Sequence, residues 1–211
     1  MPVPEVYPWC KEGQETFIFM ESIDRLSLEA RWADLSGEER YNVAQELCGI
    51  LHSLREAKQD PDYQFVGMSY QLFSASFPTI FTFLGHICRT PLQDIAFPVD
   101  VLLSSGPFPS VKQFHDWFSS LYRRNLTNPN AYPPDPYRSS LPDGAQIVLT
   151  HGDLHRSNIM VTKSGPPRIL ALIDWHQSGW LPSYWEVRKA MYNADPEDEW
   201  ARNYVPQFLQ S

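Results

Sequence analysis

His151-Gly152-Asp153-Leu154-His155-Arg156-Ser157-Asn158 and Leu172-Ile173-Asp174-Trp175, whose Asp174 lies sixteen residues beyond Asn158, decide how this chain is read. Each stretch ends a short apolar run, Ile147-Val148-Leu149 for the first and Ile169 to Ile173 for the second. Strands at about 146–150, 158–162 and 168–173 follow, with Thr162-Lys163-Ser164-Gly165 turning between the last two. One Asp on a loop, an Asn five residues later and a second Asp on the next strand are the parts that phosphoryl transfer needs. The first Asp accepts a hydroxyl proton and the other two side chains hold Mg²⁺. Magnesium is satisfied by few protein ligands, because waters and phosphate oxygens complete its shell. Each residue alone has a plainer reading: an Asp after a strand caps a turn, and so does an Asn.

The motif H-G-D-L-H-x-S-N followed by I-D-W resembles the aminoglycoside phosphotransferase (choline-kinase-like) family of the protein-kinase-like fold, in its fungal form. Gly179-Trp180-Leu181-Pro182-Ser183-Tyr184-Trp185-Glu186 fits the same group. So do Val3-Pro4-Glu5-Val6-Tyr7 and Phe17-Ile18-Phe19-Met20-Glu21. The resemblance implies an α+β fold: the mostly helical large lobe of that fold, residues 25–211, behind a remnant β-hairpin and hinge, residues 1–24. It implies Asp153 as catalytic base and Asn158 and Asp174 as metal ligands. It implies a hinge at Glu21 and Ile23 whose backbone bonds adenine, and supporting roles for His151 and His155. Mg²⁺ and ATP are the cofactors of a retained kinase activity, and the acceptor is a small-molecule hydroxyl.

Relative to that family the chain is expected to be N-terminally truncated. Met1 stands two residues before the Val-Pro segment, and no Gly-rich phosphate cover or strand lysine precedes it. Lys11 sits in a polar turn. Positioning and charge neutralisation supply most of phosphoryl-transfer catalysis, so weak or absent nucleotide binding is expected. Two other readings stand beside the phosphotransferase. One is a non-kinase biosynthetic enzyme using the same cleft on a small natural product. The other is a pseudokinase binding module, with a homodimer or a partner chain covering the surface of the missing lobe.

Composition narrows the field. A 43% hydrophobic and 14% aromatic share suits a folded globule. A net charge of −8 disfavours nucleic acid. No apolar run is long enough to span a membrane, and the first residues lack the basic front of a signal peptide. Cys10, Cys48 and Cys88 lack metal spacing and read as reduced thiols of a cytoplasmic protein.

Local patterns place further elements. Residues 3–9 and 15–21 read as a hairpin, and Leu26, Leu28, Trp32 and Leu35 as a short helix. Ser36-Gly37-Glu38-Glu39 is a capping box that opens a helix over 37–57. Ser110 caps another, with Phe114, Trp117, Phe118 and Leu121 on one face. Residues 60–109 read as irregular, and the five prolines of 128–144 as a surface loop. Trp185 to Ala194 reads as a last helix, with a frayed tail after Pro196. Four further features admit two readings each. His151-x-Asp153-x-His155 has the alternation of a transition-metal site as well as that of the transfer loop. Arg156 is either an anion contact or a solvated loop residue, and His176 either an acid or base beside Asp174 or a bystander. Trp175, Trp180, Tyr184 and Trp185 are either core or pocket lining.

Overall fold

The structure is a computed structural model, and it describes residues 2–13, 15–22, 25–59, 85–86, 90–128, 133 and 135–210. Most of the region read as irregular, 60–109, and Cys88 lie outside the described residues. These residues are mixed α/β, with eight strands in three small sheets and four α-helices among them. The predominance of helix that the resemblance implies is a finer statement than they carry. No helix among them is long and apolar enough to cross a membrane. The chain divides into two compact units.

The first unit comprises Met1–Leu54, Asp153–Trp175 and Glu186–Ser211. Its hairpin pairs β1 (Val6–Glu12) with β2 (Glu15–Met20), antiparallel around Gly13 at φ 61°. A short strand β3 (Leu26–Ser27) then pairs with β6 (Ile159–Val161), which pairs with β7 (Ile169–Leu172). The helix expected over 26–35 is shorter: α1 covers Leu28–Arg31, and a 3-10 turn follows at Trp32–Asp34. The Ser27 hydroxyl accepts from the Ala30 N–H, which fixes where the helix starts.

Helix α2 (Gly37–Arg55) starts as its capping box requires. Ser36 Oγ accepts from the Glu39 N–H at 3.3 Å, and Glu39 Oε2 accepts from the Ser36 N–H at 2.9 Å. Donation from the Ser36 N–H, and next from the Ser36 hydroxyl, holds the Glu39 carboxyl below its ordinary range. Val43, Ala44, Leu47, Leu51 and Leu54 form its buried stripe, while Cys48 is half-buried beside it.

The expected fraying after Pro196 is corrected by the structure. The chain makes a π-helical turn at Trp200–Tyr204 and a 3-10 segment at Val205–Gln210. Trp200 is 1% exposed and Phe208 0%. Trp200 and Tyr204 meet Trp32 edge-on, with ring centroids 5.4 and 5.3 Å away. Apolar residues at positions 200, 204, 205 and 208 lie on one helical face. That face outweighs the Pro and acidic residues that precede it.

The second unit comprises Arg55–Gly152 and His176–Trp185. Its sheet runs β4 (Gly85–His86), β8 (Gly179–Pro182), β5 (Ile147–Thr150). Ser110 caps α3 (Val111–Ser120) by accepting from the Gln113 N–H. Phe114 is fully buried in a core with Leu92, Phe97, Phe108, Leu181 and Trp185. Trp185 opens α4 (Trp185–Asn193) and donates its indole N–H to the buried Asp94 at 2.9 Å. Trp180 and Trp185 are thus buried, not pocket lining.

Truncating Trp200 to Ala is expected to cost about 3–5 kcal/mol in denaturant unfolding, the range for a buried tryptophan. A frayed tail would instead give a change within about 0.5 kcal/mol, as surface substitutions do.

Candidate functional site

Strand β5 delivers the motif. Thr150 donates its hydroxyl to the Gly179 carbonyl, and His151 and Gly152 follow fully or nearly fully buried. Gly152 stands at φ 80°, and a Cβ there would lie 2.4 Å from the Gln177 carbonyl oxygen. A side chain is therefore barred at that position, sterically and by backbone conformation. These contacts belong to the second unit, and the residues that follow belong to the first.

From Asp153 the backbone closes a tight loop. The Asp153 carbonyl accepts from the His155 N–H at 2.9 Å and from the Asn158 amide at 2.9 Å. The Asn158 N–H returns to the His155 carbonyl at 2.9 Å. Arg156–Asn158 is a 3-10 turn, and His155 caps it by accepting on Nδ1 from the Ser157 N–H. That bond directs the His155 ring to loop geometry. The Asn158 Nδ2 also reaches Asp153 Oδ2 at 3.2 Å. With the amide nitrogen committed to Asp153, the atom Asn158 can offer a cation is its oxygen.

The β6–β7 ladder brings the second Asp alongside. Ile159 pairs with Leu172, and one step further the Ile173 N–H donates to the Asn158 carbonyl at 3.0 Å. Asp174 therefore leaves the sheet next to Asn158. It is exposed, and its φ is 66°, the left-handed region that L residues other than Asn and Asp rarely enter. Trp175 supports the corner by donating its indole N–H to the Leu172 carbonyl at 2.9 Å.

Among the expected site residues, Asp153 and Asn158 are hydrogen-bonded to each other, and the backbone of Asp174 follows one residue after the bond from Ile173 to Asn158. Glu21 has its N–H taken by the Glu5 carbonyl at 2.8 Å, so a backbone bond from Glu21 to a base would fall to its carbonyl. Ile23 lies outside the described residues. Arg156 fits neither of its two readings. It pairs with Asp198, and its guanidinium carbon sits 5.0 Å from the centre of the Trp32 ring. His176 lies in the second unit and is exposed. Its backbone carries a hydrogen bond with the His86 ring, whose pKa burial holds below the ordinary imidazole value. Among the described residues, no group of three or more His, Cys, Asp or Glu is placed to hold a metal. An alternating His-Asp-His metal site is therefore not seen there.

Asn193, the last residue of α4, is the participant that sequence reading missed. Its Nδ2 donates to Asp153 Oδ1 at 2.8 Å. An Asn at a helix C-terminus reads as a cap, and nothing in its neighbours links it to a residue forty positions earlier.

Residues 135–210 match the model of the phosphotransferase enzyme family. The match spans Asp153, Asn158, Asp174 and Asn193, and it supports the likeness to aminoglycoside-phosphotransferase and kinase-like proteins. No curated protein matches the chain.

The left-handed backbone at Asp174 makes a stability prediction. Asp174→Gly should be more stable than Asp174→Ala by about 1 kcal/mol, since only glycine adopts this conformation without a Cβ penalty. Equal stability, or a more stable Ala variant as at ordinary sites, would show that the corner is not left-handed in solution.

Proposed function

We propose that the chain carries a phosphotransferase-type site that moves a phosphoryl group from a nucleotide to a small-molecule hydroxyl. The observation that supports this reading is the bond of Asn158 to Asp153, with Asp174 following the strand that runs beside Asn158. Asp153 is anchored by its backbone carbonyl and carboxylate, Asn158 has its amide nitrogen committed to Asp153, and Asp174 is exposed beside it. The family match supports the general reaction class.

The donor set fits Mg²⁺. One amide oxygen and one carboxylate, on adjacent strand ends, are the few hard oxygen ligands that this ion takes from protein. When bound with the donor phosphates, Mg²⁺ neutralises the charge that develops on the transferred group. The chain's own residues do the rest. Asn158 and Asp174 fix where the donor phosphates lie. The Asp153 carboxylate orients the acceptor hydroxyl and takes its proton as the new O–P bond forms and the bond to the leaving phosphate breaks.

The test is transfer of labelled γ-phosphate from ATP to a panel of hydroxyl-bearing small molecules. Asp153→Asn keeps the shape and removes the proton acceptor, so the rate should fall roughly 10²–10⁴-fold with folding unchanged. Undiminished transfer in that variant, or transfer that persists in excess chelator, would contradict the proposal. No transfer by the wild-type chain would leave a non-kinase enzyme or a binding module as the better account.

A further inference from the structure

We infer that Asn193 is a positioning residue for Asp153, an inference that rests on the phosphotransferase reading above. Two donors hold the one carboxylate from two directions. Asn158 gives its amide to Oδ2 at 3.2 Å from within the loop, and Asn193 gives its amide to Oδ1 at 2.8 Å from the end of α4. A single donor leaves a carboxylate free to rotate about its last torsion, which is a broad, soft degree of freedom. Two donors on different oxygens fix the plane of the group. The orientation in which the carboxylate meets an acceptor hydroxyl is set with that plane.

The end of α4 is itself held. Five residues past Asn193, Asp198 pairs with Arg156, which lies in the same loop as Asp153 and Asn158. Asp198 Oδ1 also accepts from the Trp200 N–H at 2.8 Å, at the start of the buried tail. The end of α4 and the segment after it therefore grip the loop at two places, once through Asn193 and once through Asp198. Of these two, Asn193 is the one bonded to the reacting carboxylate. It acts through Asp153 and meets no substrate itself, so its loss should lower turnover and leave nucleotide affinity alone.

Hydrolysis of saturating Mg-ATP, with water as acceptor, tests this without knowledge of the natural acceptor. Asn193→Asp keeps the size and removes the donor. It should lower kcat roughly 10- to 100-fold with KM for Mg-ATP within about twofold, since small misplacements of a reacting group carry penalties of that order. Asn193→His places a ring N–H where the amide was and should recover most of the rate. A second measurement needs no nucleotide. Asn193→Ala should lower the folding equilibrium constant roughly three- to tenfold in the wild-type background, the worth of one side-chain hydrogen bond. It should change it by less than about twofold in an Asp153→Ala background. A wild-type chain with no Mg-ATP turnover overturns the phosphotransferase reading, and the positioning role falls with it. An active wild type whose Asn193→Asp variant keeps its kcat, or in which the two substitutions add independently, overturns the role of Asn193 alone.

Discussion

The side-chain amide of Asn158 is the constraint on which the site depends. It donates to both the backbone carbonyl and the carboxylate of Asp153, and so ties the two ends of a six-residue loop together. An amide nitrogen buried with its residue at 9% exposure has to find acceptors, because an unmet donor there costs about 1–3 kcal/mol. Meeting that demand orients Asn158, and its oxygen takes the other direction. The Asn158 backbone carbonyl meanwhile receives the Ile173 N–H and sets where Asp174 emerges. One residue thus holds the Asp153 carboxylate, the place where Asp174 emerges and its own orientation.

The loop is braced from outside as well as from within. Two guanidinium groups, Arg40 and Arg156, each lie 5.0 Å from the centre of the Trp32 ring. Arg40 pairs with Glu199 and Arg156 with Asp198. The tail that follows packs Trp200, Tyr204 and Phe208 into the same unit. Arg156 is part-buried, so its pairing with Asp198 matters more for holding the loop than an exposed pair would. The buried tail begins beside Asp198, whose carboxylate reaches the loop through Arg156. The left-handed backbone at Asp174 is strain of the sort that surrounding structure has to sustain.

Much of this was legible in the sequence where the cause was local. The strands at 147–150, 159–161 and 169–172 announced themselves as short apolar runs between turn residues. The box Ser36–Glu39 announced the start of α2, because its two bonds span three residues. The spacing of Asp153 and Asn158 placed both on one short loop, where the two side chains are bonded to each other. What stayed hidden is long-range. Arg156 looked like a solvent or anion contact because Asp198 is distant in sequence. Asn193 drew no notice within the last helix because Asp153 is distant too. The tail looked frayed because Pro196 and its acidic neighbours stood in front of an apolar face with no visible partner. Helix α1 came out shorter than its apolar spacing suggested, since Leu26 and Ser27 are claimed by the edge of β6.

The most direct measurement of the central claim is calorimetric binding of ATP with and without Mg²⁺, made on the wild-type chain and on Asp174→Asn. If Asn158 and Asp174 are a metal-holding pair, the wild type binds ATP measurably better with Mg²⁺ than without. Asp174→Asn, which keeps the left-handed corner and removes the charge, loses that difference. A wild type whose ATP affinity is indifferent to Mg²⁺, or a variant that keeps the full metal dependence, would contradict the account.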